Sequence, residues 1–150
     1  MRIRYSVLAI PIMLILLCSS DVLSKSKCPP SVTHAALNAY PGATVISCIQ
    51  EMNHGKIQHE IKVKTKEKRK VELDVNPEGS ILLTEMDVEV DSIPNAAMES
   101  FRKKYPKKKV TGSIKQIDAA GVITYEIAFS KMGKKQEVVF DADGGFVEED

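Results

Sequence analysis

The chain has 150 residues, of which 43% are hydrophobic and 27% charged, a balance that belongs to a folded soluble protein and excludes a disordered or multiply membrane-spanning one. Such a length holds one domain of ordinary size or two very small ones. Lys plus Arg number 21 against 20 for Asp plus Glu, which removes any global pull toward nucleic acid.

At the start, Arg2 and Arg4 precede an apolar run from Val7 to Leu17, followed by Cys18, Ser19 and Ser20. This is the architecture of a secretory signal peptide. The run is too short for a transmembrane helix, which needs about 20 apolar residues, and Pro11 interrupts it. Cleavage suits Ser20 or Ser24, and the reading places the leader at residues 1–24. Its removal takes away Arg2, Arg4 and Asp21 and leaves 19 basic against 19 acidic residues. Lipidation at Cys18 is disfavoured because a lipobox puts a small residue before the cysteine, and Leu17 is bulky. The product is expected to be secreted or periplasmic. Cys28 and Cys48 then remain as an even pair in an oxidising compartment. A disulfide between them would tie the entry of a first helix to a first strand and contribute about 3 kcal/mol.

From Pro30 to Glu85 the pattern is loose. Tyr40 and Pro41 close a helical segment, and Lys62, Lys64, Lys66, Lys68, Arg69 and Lys70 form a basic run along a strand and hairpin. Lysines on an outward strand face guard a sheet edge against pairing. An acidic run follows, Glu85, Asp87, Glu89 and Asp91.

The second half is clearer. Ser92 is placed to cap a helix, Pro94 sits near its first turn, and Ala97, Phe101 and Tyr105 recur every four residues. Pro106 stops that helix. A second basic cluster, Arg102, Lys103, Lys104, Lys107, Lys108 and Lys109, surrounds its end, where the helix dipole favours cations. Then the period becomes two: Val110, Gly112 and Ile114 alternate with polar neighbours, a turn falls at Ala119 to Gly121, and Ile123, Tyr125, Ile127 and Phe129 alternate with Thr124, Glu126 and Ala128. A turn at Met132 and Gly133 leads to Glu137–Phe140, and Asp141 to Gly145 turns into the strand Phe146–Glu148.

Laid beneath this unit, the first half matches it: Tyr40-Pro41 with Tyr105-Pro106, Val45 with Val110, Cys48 with Ser113, Ile49 with Ile114, Ile61 and Val63 with Ile127 and Phe129, and Asp74 and Gly79 with Asp141 and Gly145, at offsets of 65 to 67 residues. The reading is a doubled module, residues 25–90 and 91–150. The fold class is α+β, two tandem helix-plus-antiparallel-sheet repeats. Halves of about 60 residues are marginal alone, so mutual packing is expected, with the two sheets free to run together and the helices on one face.

Catalytic signatures are absent. His34, His54 and His59 stand in no ligand or base pattern, and there is no nucleophile elbow, phosphate loop or Cys-x-x-Cys pair. Asp141, Asp143 and Gly144 superficially suggest a calcium loop, but a hairpin turn accounts for them better. No cofactor, metal or enzymatic activity is expected, and a chain without interleaved aromatics does not suit nucleic acid.

The segment Ala97 to Pro106 with Lys109 and Val110, the strand Tyr125 to Phe129 and the hairpin Val139-Phe140-Asp141-Ala142-Asp143-Gly144 together resemble the PepSY-like, β-lactamase-inhibitor-like domains of bacterial secreted proteins. The resemblance implies a helix on an antiparallel sheet, two units in tandem, export, no enzymatic activity, and protein binding or inhibition as the theme. The chain has no Trp and eight Phe plus Tyr residues, a thin supply of the aromatic anchors that tight interfaces use. The leading expectation is a binding module presenting the sheet face opposite the helices to a protein or cell-envelope ligand, with peripheral membrane contact through its basic clusters. Lys62, Lys64, Thr124 and Glu126 are the candidates on the sheet, Arg102 and Lys103 those at the helix end. The alternative is an inhibitor or regulator of a secreted peptidase or other hydrolase.

Overall fold

A computed structural model describes residues 28–149; the leader reading, Cys18 included, lies outside the described residues. The elements run α1 (Pro30–Ala39), β1 (Thr44–Asn53), β2 (Lys56–Lys64), β3 (Lys70–Val75), β4 (Ile81–Asp87), a 3-10 turn (Val90–Ser92), α2 (Asn95–Lys104), β5 (Val110–Asp118), β6 (Ile123–Lys131), β7 (Lys134–Asp141) and β8 (Phe146–Glu149). The strands form one eight-stranded antiparallel sheet in sequence order, so each connection is a hairpin except the one that carries α2. The two half-sheets join at β4 and β5, from Leu83 opposite Asp118 to Asp87 opposite Ile114.

Both helices lie on the same face. Met86 packs with the α1 core and stands opposite Lys115, which is opposite Tyr125, itself packed on the α2 core. Residues directly opposite in antiparallel strands share a face, so that row carries one face from core to core. Val32 and Ala36 of α1 bury against Ile61, Val63, Val71, Leu73 and Val75. Ala97, Met98 and Phe101 of α2 bury against Ile127, Phe129, Val138 and Phe140. Phe101 and Phe129 meet edge to face at 5.5 Å between ring centroids. Each buried phenylalanine contributes roughly 1.5–3 kcal/mol.

Both helices start after a proline at the N-cap, Pro29 and Pro94, without a side-chain cap. Ser92 therefore does not cap α2. Ile93, held extended (ψ 133°) as the residue before a proline must be, separates it from the helix, and Ser92 belongs to the 3-10 turn. Alternation across Val110, Gly112 and Ile114 also breaks. A bulge between Val110 and Gly112 turns Val110 toward the helices and the other two away, and an equivalent bulge lies between Val45 and Ser47.

The strand registers of the two halves run alike. Cys48 faces Ile61, which faces Leu73; Ser113 faces Ile127, which faces Val138. At the last turn of each half the pairing differs from the sequence expectation: Asn76, not Asp74, is the counterpart of Asp141, and Gly79 pairs with Gly144. The Asn76 side-chain oxygen accepts from the Ser80 N–H at 2.7 Å as the Asp141 carboxylate accepts from the Gly145 N–H at 2.6 Å. Both glycines have positive φ, +93° and +86°, and both lie under a helix start. A Cβ would come 3.0 Å from the Ser31 carbonyl oxygen in one and 2.6 Å from that of Ala96 in the other. Asp74 shares the residue type, but by register it answers Val139, one place after Leu73 as Val139 is one place after Val138.

The expected disulfide is present. Cys28, just before α1, is bonded to Cys48 in β1 with a Cα–Cα distance of 5.6 Å, so the edge strand is tied to the helix layer.

Candidate functional site

The face of the sheet away from the helices is polar, and its composition follows from the period of two. With Ile61, Val63, Val71, Leu73, Ile127 and Phe129 turned to the cores, their neighbours Glu60, Lys62, Glu72, Asp74, Glu126 and Ala128 turn the other way. One row crosses seven strands through Ser47, Lys62, Glu72, Glu85, Gln116, Thr124 and Asp141. Much of it is bonded side chain to side chain. The Lys62 ammonium lies 2.7 Å from Glu72 and 3.1 Å from Glu60. Gln116 donates to Glu85 at 2.9 Å, and the Thr124 hydroxyl donates to Gln116 at 2.9 Å across the β5–β6 pair.

Carboxylates outnumber cations here. Asp74, which accepts from the buried Gln58 at 3.1 Å, is pushed up to about 6 by burial and by the charges of Glu51, Glu85, Glu60 and Glu72. Glu126 is raised to about 7 by burial, by its hydrogen bond with Glu137 and by the Glu137 and Glu85 charges. Glu137 is held low, first by Lys135. Lys62 is raised by Glu72 and Glu60, so it stays a cation over the whole physiological range. Residues Lys62, Lys70, Glu72, Glu85, Asp87 and Ile114 line a shallow depression at one end of this face.

Of the residues expected to face a ligand, Lys62, Lys64, Thr124 and Glu126 share this surface. Arg102 and Lys103 do not join them. They sit exposed in the last turn of α2, on the opposite layer of the molecule. The basic run likewise divides: Lys62, Lys64 and Lys70 lie on the strands, and Lys66, Lys68 and Arg69 in the β2–β3 turn. Sequence reasoning missed Glu60, Glu72, Asp74, Glu85 and Glu137. Their signal was the same alternation that gave Lys62 and Lys64, applied to charge of the other sign.

Chemically the surface can donate, accept and attract, without a paired nucleophile and base. His34 is exposed on α1, His54 lies in the β1–β2 turn, and His59 is buried on the helix side. Among the described residues no group of three His, Cys, Asp or Glu is placed to hold a metal ion, and no helix is long and apolar enough to cross a membrane.

The fold has solved counterparts. A structure from Bacteroides eggerthii, named as one of the "putative periplasmic proteins", superposes with a TM-score of 0.67 at 16% identity, covering 83% of this chain and 88% of the other. A BLIP-like protein from Bacteroides fragilis gives 0.62 at 18% identity, covering 83% and 86%. A DUF2874 family protein from Bacteroides uniformis gives 0.67 at 12% identity, covering 83% and 89%. At these identities the similarity speaks for the fold. Among curated proteins none matches. The model of the family described as "Putative beta-lactamase-inhibitor-like, PepSY-like" matches residues 72–148, just over half of the chain. By that match this chain belongs to the PepSY-like family.

Proposed function

We propose that this protein is an exported, non-catalytic module that binds a protein partner on the helix-free face of its sheet, and that it acts as an inhibitor or regulator of a secreted hydrolase. The observation that carries the reading is that face: a continuous surface across the strands, rich in hydrogen-bonding side chains and joined to no layer of the described residues, in a chain of the β-lactamase-inhibitor-like family. The disulfide supports a periplasmic or secreted location, since such bonds persist in oxidising compartments, in keeping with the leader proposed for residues 1–24. The shared registers and twin turns support descent of residues 25–90 and 91–150 from one doubled module, the first copy lying mostly outside the family match.

An anionic envelope surface fits this face less well than a protein does. Glu60, Glu72, Asp74, Glu85, Glu126 and Glu137 confront Lys62, Lys64 and Lys135 there, and like charges brought together cost affinity. The test uses the exported protein as bait in periplasm and culture fluid, with a Gln116→Arg/Thr124→Arg variant that crowds the centre of the face. Recovery of a hydrolase whose activity falls on binding, lost with the variant, is the expected result. Recovery of envelope lipid or polysaccharide in its place, or retention of the hydrolase by the variant, would reject the reading.

A further inference from the structure

The two edges of the sheet are unlike. β8 is four residues long, ends in Glu148 and Glu149, and carries an irregularity where it meets β7 between Val139 and Phe140; charge, shortness and a bulge are the usual ways of blunting an edge. β1 at the other end is ten residues long, contains neither Lys nor Pro, and has Glu51 as its single charge. Three large apolar side chains are exposed along it among polar ones: Ile46 is 50% exposed, Ile49 54% and Met52 66%. Among the described residues nothing pairs with its outer side. The bulge between Val45 and Ser47 leaves the stretch from Ser47 to Asn53 regular, in unbroken register with β2, and the bond from Cys48 to Cys28 holds that stretch against the helix layer.

We propose that this edge pairs with the same edge of a second copy of the chain, antiparallel about a two-fold axis at Ile49, so that two eight-stranded sheets become one. The occupant is argued from self-complementarity. A two-fold axis there sets Ile49 against Ile49 of the second copy, an apolar centre on the helix-free face. It also sets Glu51 opposite the small Ser47, whose own neighbour on β2 is Lys62. Glu51 of one copy and Lys62 of the other are then two strand spacings apart, about 9–10 Å between backbones. Only a serine side chain lies between them, so these two long side chains of opposite charge can meet above it once Glu51 turns from the Gln58 amide, from which it accepts at 2.9 Å. Symmetry makes that contact twice. The interface is isologous and closed, giving a dimer rather than a fibre, and the strand geometry needs no rearrangement.

Sedimentation equilibrium of the oxidised, exported protein from about 1 µM to about 1 mM, a range that spans weak self-association, tests the proposal. The expected result is a rise from monomer to dimer mass. Ile49→Lys should remain monomeric throughout, and Glu51→Lys should weaken association about tenfold, a size usual for one lost charge contact replaced by repulsion. Both positions are exposed, so unchanged thermal unfolding at low concentration will show that the variants fold. A wild-type protein monomeric over the whole range, or a dimer that persists in Ile49→Lys, overturns the proposal.

Discussion

Gly144 shows how a single position can bind the two layers. It has φ +86°, and an added Cβ would come 2.6 Å from the Ala96 carbonyl oxygen and 2.8 Å from the Ser100 hydroxyl. Gly121 has a similar φ, +81°, but open space around it. Gly144→Ala should therefore destabilise by about 2–3 kcal/mol, because helix and turn must part, whereas Gly121→Ala should cost only about 1 kcal/mol of left-handed strain; urea unfolding of the two variants separates the effects. Asp74 and Glu126 give a second prediction. Their folded values, about 6 and about 7, lie above the ordinary 3.8 and 4.5. The folded state thus holds more protons than the unfolded between about pH 4 and 7, and stability falls as pH rises through that window. Both groups are half-exposed, so solvent reduces the effect to about 1 kcal/mol each. Asp74→Asn with Glu126→Gln should flatten the loss between about pH 4 and 7, measured by denaturant midpoints; an unchanged slope would show that burial and neighbouring charge do not raise these carboxyls.

Elements were legible where periodicity and punctuation agreed. Helix α2 could be read from Ala97, Phe101 and Tyr105 with Pro106 behind them, and both Tyr40 and Tyr105 do end their helices, donating to Ala36 and Phe101. The start of α2 was misread because Ser92 has the right residue type in the wrong place: a proline at the cap forces Ile93 extended, and the serine is carried out of reach. The strands were readable for the same reason as the helices, except at bulges such as Val45–Ser47 and Val110–Gly112, which a run of alternating residue types does not announce. Cys28–Cys48 acts at this scale, fastening α1 and edge strand β1, while the second half has Ser113 donating to the Val88 carbonyl at 2.7 Å in the equivalent place. Cys28→Ser with Cys48→Ser should cost about 2–4 kcal/mol. Hydrogen exchange should show the loss concentrated in α1, β1 and β2, with α2, β6 and β7 keeping most of their protection. Uniform loss across both halves would mean that the sheet unfolds as one cooperative unit.

At the scale of the molecule, the β4–β5 pairing turns two marginal halves into one sheet with two cores on one side and a polar surface on the other. Counted along the chain, Lys62 to Lys70 is a basic cluster; counted by face, the same strands present Glu60, Glu72 and Asp74, and β4, β6 and β7 add Glu85, Glu126 and Glu137. A partner recognised on this surface should consequently bind less tightly as salt is raised, by screening of exposed charge, and titration of the captured partner at rising salt measures the loss. What the sequence determined alone was local or compositional: the segments where periodicity and punctuation agree, the antiparallel class, the cysteine pair, and the alternation away from the bulges. What only the tertiary structure decided was non-local: that the two sheets join, that both helices share a side, that Asn76 answers Asp141, that Arg102 and Lys103 stand on the layer opposite Lys62, and that carboxylates from five strands gather on one face. The physical reason is that side-chain alternation is set by the backbone of a single strand, whereas the sign of a surface depends on register between strands that are far apart in the chain.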